Sequence, residues 1–255
     1  MILAVINNKG GTGKTTTAVS VAASLARDHG RRVLLADLDS QASASLSMGI
    51  PRTELNPSIA DAILEGRPLS RFLRQTEVPG LSVATGSPAL ANADLIMADM
   101  AGRESCLERA LAPLKPELDD IIIDCPPSLS MLSINAMVAA DEYILPTQPE
   151  YLALEGLVGM LEAVELIRKK LDASCRLLGI VLTRVDYRRK VTEEIISMIR
   201  EHYKGDVLKT EIRIDVKLVE APSFGKDIFA YARSSTGAEG YAALTEEILK
   251  KGKRA

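Results

Sequence analysis

The chain has 255 residues, of which 47% are hydrophobic and 25% are charged, and its formal net charge is −3. This composition is typical of a globular protein and excludes a disordered or fibrous chain. The slightly negative charge also excludes a protein that coats nucleic acid through bulk positive charge, so any nucleic-acid binding must come from a local basic patch.

Short apolar runs alternate with longer segments of helical spacing. The runs predict buried strands at residues 2–7, 33–37, 81–84, 121–124, 143–146 and 177–183. The longer segments predict helices at residues 14–28, 103–114, 152–171 and 192–203. This alternation predicts an α/β fold, doubly wound around a mostly parallel sheet with helices on both faces. Residues 1–255 are predicted to form a single domain, in which 56–101 is the least regular segment.

Neither a membrane span nor a secretory signal is predicted. The longest uncharged stretches, such as residues 125–140, contain Pro, Ser and Asn and fall short of a span, and Met1 is followed at once by an apolar run without a basic segment. The cysteines are odd in number and widely spaced, which predicts reduced thiols in a cytoplasmic protein and not a disulfide framework or a zinc site. They are Cys106, Cys125 and Cys175.

A glycine-rich loop lies between the first predicted strand and the first predicted helix. Residues 8–16 are Asn-Lys-Gly-Gly-Thr-Gly-Lys-Thr-Thr. Glycines let backbone N–H groups converge on phosphate oxygens, and the positive end of the following helix points at the same anion. Lys14 is then placed to reach the outer phosphates, and the Thr15 hydroxyl to complete a Mg²⁺ shell. The alternative is a glycine-rich turn that only starts a helix.

The loop departs from the common pattern G-x-x-x-x-G-K-[ST], because Asn8 stands where that pattern has glycine. A second lysine, Lys9, precedes the glycines, although Lys14 already supplies the positive charge that the loop needs. The predicted nucleotide-binding residues of this loop are Lys9, Gly10, Gly11, Thr12, Gly13, Lys14, Thr15 and Thr16.

Three aspartates follow predicted strands. Asp124 ends an apolar run, where a carboxylate is costly to bury unless it is paired or serves a cation, so Mg²⁺ is its predicted partner. A strand-end aspartate that caps the next turn is the alternative. Asp37 and Asp39 lie at the carboxyl edge of another strand, where ligands bind in open α/β sheets, and they face opposite sides of it. Both could also be plain surface carboxylates.

Residues 9–16 resemble the deviant Walker A loop of the ParA/MinD family of ATPases. Residues 33–41 resemble the second motif of that family, usually D-x-D-P-Q, and residues 121–128 resemble its Walker B segment. Residues 151–157 and 220–226 look like the ParA/Soj branch in particular. The chain departs from the family at Ser40, usually proline, and at residues 213–215, where Arg-Ile-Asp replaces the usual Pro-Arg-Asn of Soj-like chains.

The resemblance implies one P-loop ATPase domain over residues 1–255 that binds ATP and Mg²⁺, with Asp124, Thr15 and Asp37 near the metal. It implies that Asp39 orients or activates the attacking water, while Asp37 supports Mg²⁺ or the loop. In relatives, the lysine that matches Lys9 reaches across a dimer interface to the phosphates of the partner, so a nucleotide-sandwich homodimer is implied. Thr183 and Arg184 match a base-contacting position in some relatives, or else they form a solvated strand terminus.

A basic triplet, residues 188–190, precedes the helix predicted at 192–203. Cations are unfavourable at a helix N-terminus, so helix stability does not explain the triplet, and phosphate backbone is the expected external anion. By resemblance, Arg188 and Lys217 match DNA-binding positions of Soj-like proteins, and Arg189, Lys190 and Arg213 could extend the patch. The alternative is a solvated charged loop. Aromatic residues make up only 4% of the chain, so binding is expected through the DNA backbone without sequence preference.

The function implied by the resemblance is an ATP-dependent DNA partition ATPase associated with the nucleoid. Its ATP-bound dimer would bind nonspecific double-stranded DNA and be released when a ParB-like partner stimulates hydrolysis. The alternatives are a related ATPase that positions a protein cargo (a chemotaxis cluster, a carboxysome or a flagellar pole) and a MinD-like membrane-associated regulator. A redox enzyme like the nitrogenase iron protein would need cysteines that hold a cluster between subunits, and Cys125 has no obvious partner for one.

The two ends of the chain bear on these alternatives. Residues 244–254 have few bulky apolar side chains and include acidic ones, so membrane binding is not expected and a helix end with dipole-matching lysines is predicted. The first predicted strand begins at residue 2, so no N-terminal DNA-binding extension, and no operator recognition, is expected.

Overall fold

The structure is a computed structural model that describes residues 1–151 and 153–252. The strands of these residues form one eight-stranded sheet, in the order β3-β4-β2-β5-β1-β6-β7-β8. Neighbouring strands are parallel except for the short antiparallel pair β3 and β4. The strands are β1 (Ile2–Val5), β2 (Val33–Asp37), β3 (Arg74–Gln75), β4 (Leu81–Ala84), β5 (Asp120–Asp124), β6 (Glu142–Thr147), β7 (Arg176–Val185) and β8 (Val207–Arg213).

Helices connect most of the strands. They are α1 (Lys14–His29), α2 (Ser43–Ser47), α3 (Ile59–Glu65), α4 (Ala93–Met97), α5 (Cys106–Leu111), α6 (Met131–Ala139), α7 (Ala153–Leu171), α8 (Lys190–His202), α9 (Lys217–Glu220), α10 (Ile228–Ala232) and α11 (Thr236–Gly252).

Both faces of the sheet are buried. Along β1, Leu3 and Val5 belong to one apolar core, whereas Ile2, Ala4 and Ile6 belong to the other. Successive side chains of a strand point to opposite faces, which explains why the central strands are almost continuously apolar. α1 and α11 cover one face, and α6, α7 and α8 cover the other. The predicted doubly wound α/β fold is confirmed.

The sheet order brings three strand ends together. β5 lies between β1 and β2, with Asp124 in register with Val5 on one side and Asp37 on the other. The phosphate loop follows β1 directly. The glycine-rich loop and two of the predicted carboxylates therefore meet at the carboxyl edge of the sheet, where open α/β sheets bind ligands.

Two strands were missed from sequence, and both lie at the edges of the sheet. β8 has an alternating pattern with exposed Lys209 and Arg213, because an edge strand has one neighbour and is partly exposed. β3 is only two residues long. Neither forms the continuous apolar run from which the buried strands were predicted.

The helix predictions need three corrections. Within residues 103–114 only α5 is α-helical, flanked by 3₁₀ turns at Arg103–Ser105 and Ala112–Glu117, because Pro113 and Pro116 cannot donate a backbone hydrogen bond. α8 begins at Lys190, earlier than predicted. Neither α6 nor the shorter helices α2, α3, α4, α9 and α10 were predicted. α7 confirms the helix predicted at 152–171, although Leu152 itself lies outside the described residues, as do residues 253–255 of the predicted tail.

None of the helices in the described ranges is both long enough and apolar enough to cross a bilayer.

Candidate functional site: a phosphate loop with buried carboxylates

The glycine-rich loop has the backbone of an anion-binding loop. Gly11 and Gly13 have φ values of +76° and +84°, a region that side chains other than glycine adopt at a cost. α1 begins immediately after Gly13, so its free N–H groups and its positive end face the concave side of the loop. This backbone supports the prediction of a phosphate site over that of a simple turn.

Two polar residues that the sequence analysis missed hold the loop in place. The Asn7 carboxamide accepts a hydrogen bond from the Lys9 N–H at 2.9 Å and donates one to the Pro146 carbonyl at 2.8 Å. Gln148 donates from its side-chain amide to the Gly11 carbonyl. Both contacts tie the loop to the end of β6. An asparagine at the end of β1 and a glutamine after β6 carry no pattern that would identify this role before the sheet order is known.

Lys14 lies inside the loop, with 7% of the residue exposed, and its ammonium donates to the Lys9 carbonyl at 2.9 Å. Burial lowers the pKa of Lys14, while the nearby Asp124, Cys125 and Asp39 act in the opposite direction. A buried ammonium beside a phosphate-shaped loop gains a strong charge-assisted hydrogen bond when an anion enters. Lys14 is therefore the lysine whose positive charge lies inside the loop.

Lys9 is placed differently. Its ammonium forms an ion pair with Glu150 at 2.6 Å, and both side chains are about half exposed. Exposed ion pairs of this kind contribute little to stability and exchange readily. Lys9 therefore lies at the outer edge of the loop with its charge accessible from outside the chain.

Asp124 is fully buried, and neither carboxylate oxygen has a hydrogen-bond partner among the described residues. Burial raises the pKa of Asp124 well above its ordinary value, and the neighbouring Asp37 raises it further, while the Thr15 hydroxyl and Lys14 act in the opposite direction. A buried carboxylate without partners is costly unless a cation joins it.

These donors fit Mg²⁺. The ion usually binds one or two carboxylates together with substrate phosphates and water, and Thr15 and Asp124 would supply the hydroxyl and the carboxylate. In the described part of the chain, no group of three or more His, Cys, Asp or Glu side chains could hold a metal. The remaining ligands would therefore come from the nucleotide and water.

The structure separates Asp37 from Asp39, as the alternation around Leu38 predicts. Asp37 is fully buried, and its carboxylate accepts hydrogen bonds from the Ser45 N–H at 2.8 Å, the Ser45 hydroxyl at 2.7 Å and the Asp39 N–H at 3.1 Å. Burial raises the pKa of Asp37 to about 6. These contacts connect Asp37 to the loop that carries Asp39. Its predicted role toward Mg²⁺ stays a prediction. Asp39 itself lines the cavity described next.

A cavity of about 630 Å³ extends from the phosphate loop. Thr183 and Arg184 line it as expected, but the Thr183 hydroxyl donates to the Thr12 carbonyl at 2.8 Å and so also supports the loop. The far wall was not predicted from sequence; it is mainly apolar and is formed by the end of β8 and the residues after it, and β8 itself was not predicted. Its residues include Ile212, Ile214, Val216, Val219 and Pro222. A polar end and an apolar end suit the phosphates and the base of a nucleotide.

The five predicted DNA-binding cations lie at or after the ends of β7 and β8, at the same edge of the sheet: Arg213 is the last residue of β8, and the other four follow β7 or β8. Arg188 pairs with Asp186 at 2.7 Å, Arg189 pairs with Asp186 at 3.7 Å, and Lys217 pairs with Glu220 at 2.9 Å. Two cations of the triplet thus have an anionic partner within the chain, and the external phosphate partner expected from sequence stays a prediction. Lys190 is the first residue of α8, and the Arg213 guanidinium lies over the ring of Tyr187, 5.4 Å from its centre.

All three cysteines are buried as free thiols. Burial raises the pKa of Cys175 to about 12 and that of Cys125 well above its ordinary value. A cluster shared between subunits needs thiolates at the surface, so this arrangement disfavours the iron–sulfur alternative.

A family model described as an AAA domain matches residues 1–177. Among curated proteins, the chain is 40% identical to the chromosome partitioning protein ParA of Myxococcus xanthus over 98% of this chain and 88% of that protein. It is 39% identical to the sporulation initiation inhibitor protein Soj of Bacillus subtilis, over 98% of this chain and 99% of that protein.

A solved structure with bound ligands is also similar to this chain. It is cobyrinic acid a,c-diamide synthase from Mycobacterium smegmatis with a bound ATP analogue and magnesium, which is 33% identical to this chain, with a TM-score of 0.86, over 99% of this chain and 95% of that one. ATP and Mg²⁺ are thus the cofactors of this protein. The chain therefore belongs to the ParA/MinD family of ATPases, in its ParA/Soj branch, and it hydrolyses ATP.

Proposed function

We propose that this protein is a DNA partition ATPase that acts as an ATP-dependent homodimer. The observation that carries the proposal is the position of Lys9. A second lysine lies at the outer edge of the phosphate loop with about half of its side chain exposed, while Lys14 occupies the interior. A cation placed there serves a phosphate that approaches from outside the chain, which a second copy with its own nucleotide would bring.

In this dimer each residue at the phosphates has a separate role. Lys14 holds the outer phosphates of its own nucleotide, and Lys9 of the other copy stabilises the charge of the transferring phosphoryl group, as an arginine finger does. Asp39 orients the attacking water from its place in the cavity wall. Thr15 and Asp124 hold Mg²⁺, which neutralises phosphate charge when bound.

Dimerisation would also control DNA binding. The cations proposed to bind DNA lie at or just after the ends of β7 and β8, at the nucleotide edge of the sheet; they are Arg188, Arg189, Lys190, Arg213 and Lys217. Two copies present twice as many cations to the DNA, and since each phosphate contact adds to the affinity, the dimer binds far more tightly than the monomer. Hydrolysis, stimulated by a ParB-like partner, would separate the copies and release them from the nucleoid.

The name of the Myxococcus relative supports chromosome partition as the process. The alternatives from sequence, a protein cargo or a MinD-like membrane role, share the ATPase cycle and differ in the surface that the dimer binds.

The test is a DNA-binding assay with ATP, with ADP and without nucleotide, each with and without anionic lipid vesicles. We expect retention of random-sequence duplex DNA with ATP only, and no association with vesicles. Dimerisation is followed in the same samples by light scattering. ATP-dependent association with vesicles in place of DNA would favour the membrane alternative, and a strictly monomeric complex with a non-hydrolysable ATP analogue would contradict the proposal.

A further inference from the structure

Gly86, the second residue after β4, is buried against the loop that carries Asp39. A Cβ atom at this position would lie 2.6 Å from the Asp39 carbonyl oxygen, 2.9 Å from Asp37 Cγ and 3.0 Å from Asp37 Oδ1. Gly86 does not have a positive φ, so backbone conformation does not account for glycine here. The close approach of another backbone segment does.

Hydrogen bonds connect Gly86 to the same loop. The Gly86 N–H donates to the Ser45 hydroxyl at 3.1 Å, and that hydroxyl donates to Asp37 at 2.7 Å. The other oxygen of the Asp37 carboxylate accepts from the Asp39 N–H at 3.1 Å. Ser45 and Asp37 are fully buried. A continuous set of buried contacts thus runs from the end of β4 to the backbone of Asp39.

The opposite side of Gly86 is firmly held. The Thr85 hydroxyl donates to the Leu55 carbonyl at 2.7 Å, the Thr85 carbonyl accepts from the Ile59 N–H at 2.9 Å, and the hydroxyls of Ser58 and Ser87 lie 2.8 Å apart. Asp39 belongs to a partly exposed loop at the edge of the cavity, and its carbonyl accepts from the Ala42 N–H of the same loop at 2.9 Å, so this contact can move together with Asp39. An atom added at Gly86 would therefore displace Asp39 more readily than the β4 end.

We infer that Gly86 and Ser45 are positioning residues that set the place of Asp39 relative to the phosphate loop. Neither residue lines the cavity, so neither is expected to touch the nucleotide. They act through the backbone of Asp39, and a displacement of about 1 Å at a reacting group can reduce the rate about 100-fold. This inference rests on the proposed role of Asp39 in orienting the attacking water.

The test compares Gly86→Ala with the parent protein in steady-state ATP hydrolysis and in binding of a fluorescent ATP analogue with Mg²⁺. We expect kcat to fall about 10-fold or more while the dissociation constant changes less than about 3-fold. The matched control is Gly179→Ala on β7, where an added Cβ would also meet an atom at 2.6 Å, in this case Leu208 Cδ2, away from the catalytic loop. The control should lose stability and keep its kcat.

Further variants separate the possible failures. If Gly86→Ala does not fold, Ser45→Ala decides: a loss of kcat with intact nucleotide binding supports the inference, and the parental kcat overturns it. Asp39→Ala is measured alongside. If Asp39→Ala hydrolyses ATP at the parental rate, the proposed role of Asp39 fails. If Asp39→Ala is inactive while Gly86→Ala and Ser45→Ala have the parental kcat, only the positioning inference fails.

Discussion

At the scale of single residues, the two lysines of the phosphate loop have different environments and therefore different uses. Lys14 is buried and donates to a carbonyl of its own loop, whereas Lys9 is paired with Glu150 at the surface. A buried ammonium needs a local anion, and an exposed one is free to exchange its partner. The spacing in the sequence identifies both lysines, but only their burial separates the local role of Lys14 from the interface role that we propose for Lys9.

Lys9→Gln should bind ATP with nearly parental affinity but fail to form the ATP-dependent dimer, because the cation that reaches the phosphates of the partner is gone. Binding is measured with a fluorescent ATP analogue and dimerisation by light scattering with a non-hydrolysable analogue. Glu150→Gln is the control, since it removes the same ion pair and keeps the lysine. If both variants lose the dimer equally, the ion pair and not the lysine is responsible.

The buried carboxylates predict an unusual pH dependence for the nucleotide-free protein. Burial raises the pKa of Asp37 from 3.8 to about 6, and that of Asp124 is also raised. Since the native state keeps protons that the unfolded state releases, the free energy of unfolding should fall as the pH rises from about 4 to about 6, and further as Asp124 ionises.

Asp124→Asn removes one of these charges, so it should flatten this decrease and should also lose the stabilisation by Mg²⁺ and ADP. Both effects are measured by denaturant unfolding at several pH values, in chelator and then with the ligands. A variant with the same pH dependence as the parent would show that Asp124 is not the buried group responsible.

At the scale of elements, the carboxyl edge is assembled from loops that are fixed by side-chain caps. Asp227 precedes α10, and its carboxylate accepts from the N–H groups of Phe229 and Ala230 at 3.0 and 3.1 Å. The same carboxylate pairs with Arg27 of α1 at 2.7 Å. One side chain thus joins the helix after the phosphate loop to the wall of the cavity, which Asp227 also lines.

Asp227→Ala should lower the free energy of unfolding by about 3 kcal/mol, because it removes a helix cap and leaves a partly buried arginine without its partner. Asp227→Asn keeps an oxygen for the cap and loses the charge, so it should cost less. Both are measured by denaturant unfolding without nucleotide. If the two substitutions are equally destabilising, the cap contributes nothing beyond the ion pair.

At the scale of the whole molecule, the net charge of −3 means that DNA binding depends on where cations lie and on how many copies present them. The cations after β7 and β8 lie at the nucleotide edge, and three of them are engaged in ion pairs with Asp186 and Glu220. Binding to DNA would exchange these partners for phosphates. The binding free energy gained from each contact with a DNA phosphate is therefore small, which makes the affinity for DNA sensitive to dimerisation and to salt.

Arg188→Glu should abolish ATP-dependent DNA binding and leave ATP-dependent dimerisation intact. For the parent, the logarithm of the affinity should fall linearly with the logarithm of the salt concentration, with little difference between DNA sequences. Lys115→Glu makes the same charge change at an exposed residue before β5, at the opposite edge of the sheet, and should bind DNA like the parent. Equal DNA retention by Arg188→Glu and the parent would remove this patch from the proposed function.

Local patterns in the sequence were enough to predict the parts of this protein that lie in consecutive residues. Continuous apolar runs identified the buried central strands, because a strand covered on both faces must be apolar at every position. The spacing of the loop at residues 8–16 identified the phosphate site, because that chemistry resides in consecutive backbone groups and one following helix. The aspartates at strand ends were also found from local pattern, because each of them ends or directly follows an apolar run.

The set of distant residues that share a site became known from the folded chain. The order of strands places Asp37 beside Asp124 and brings the Gln148 side chain to the phosphate loop. It also places the residues after β8 in the same cavity as the phosphate loop. It also brings Gly86 against Asp39, a contact between segments 47 positions apart that no local pattern predicts. Edge strands, internal ion pairs and crowded glycines depend on what the rest of the chain places next to them, so they could be recognised only once the sheet was assembled.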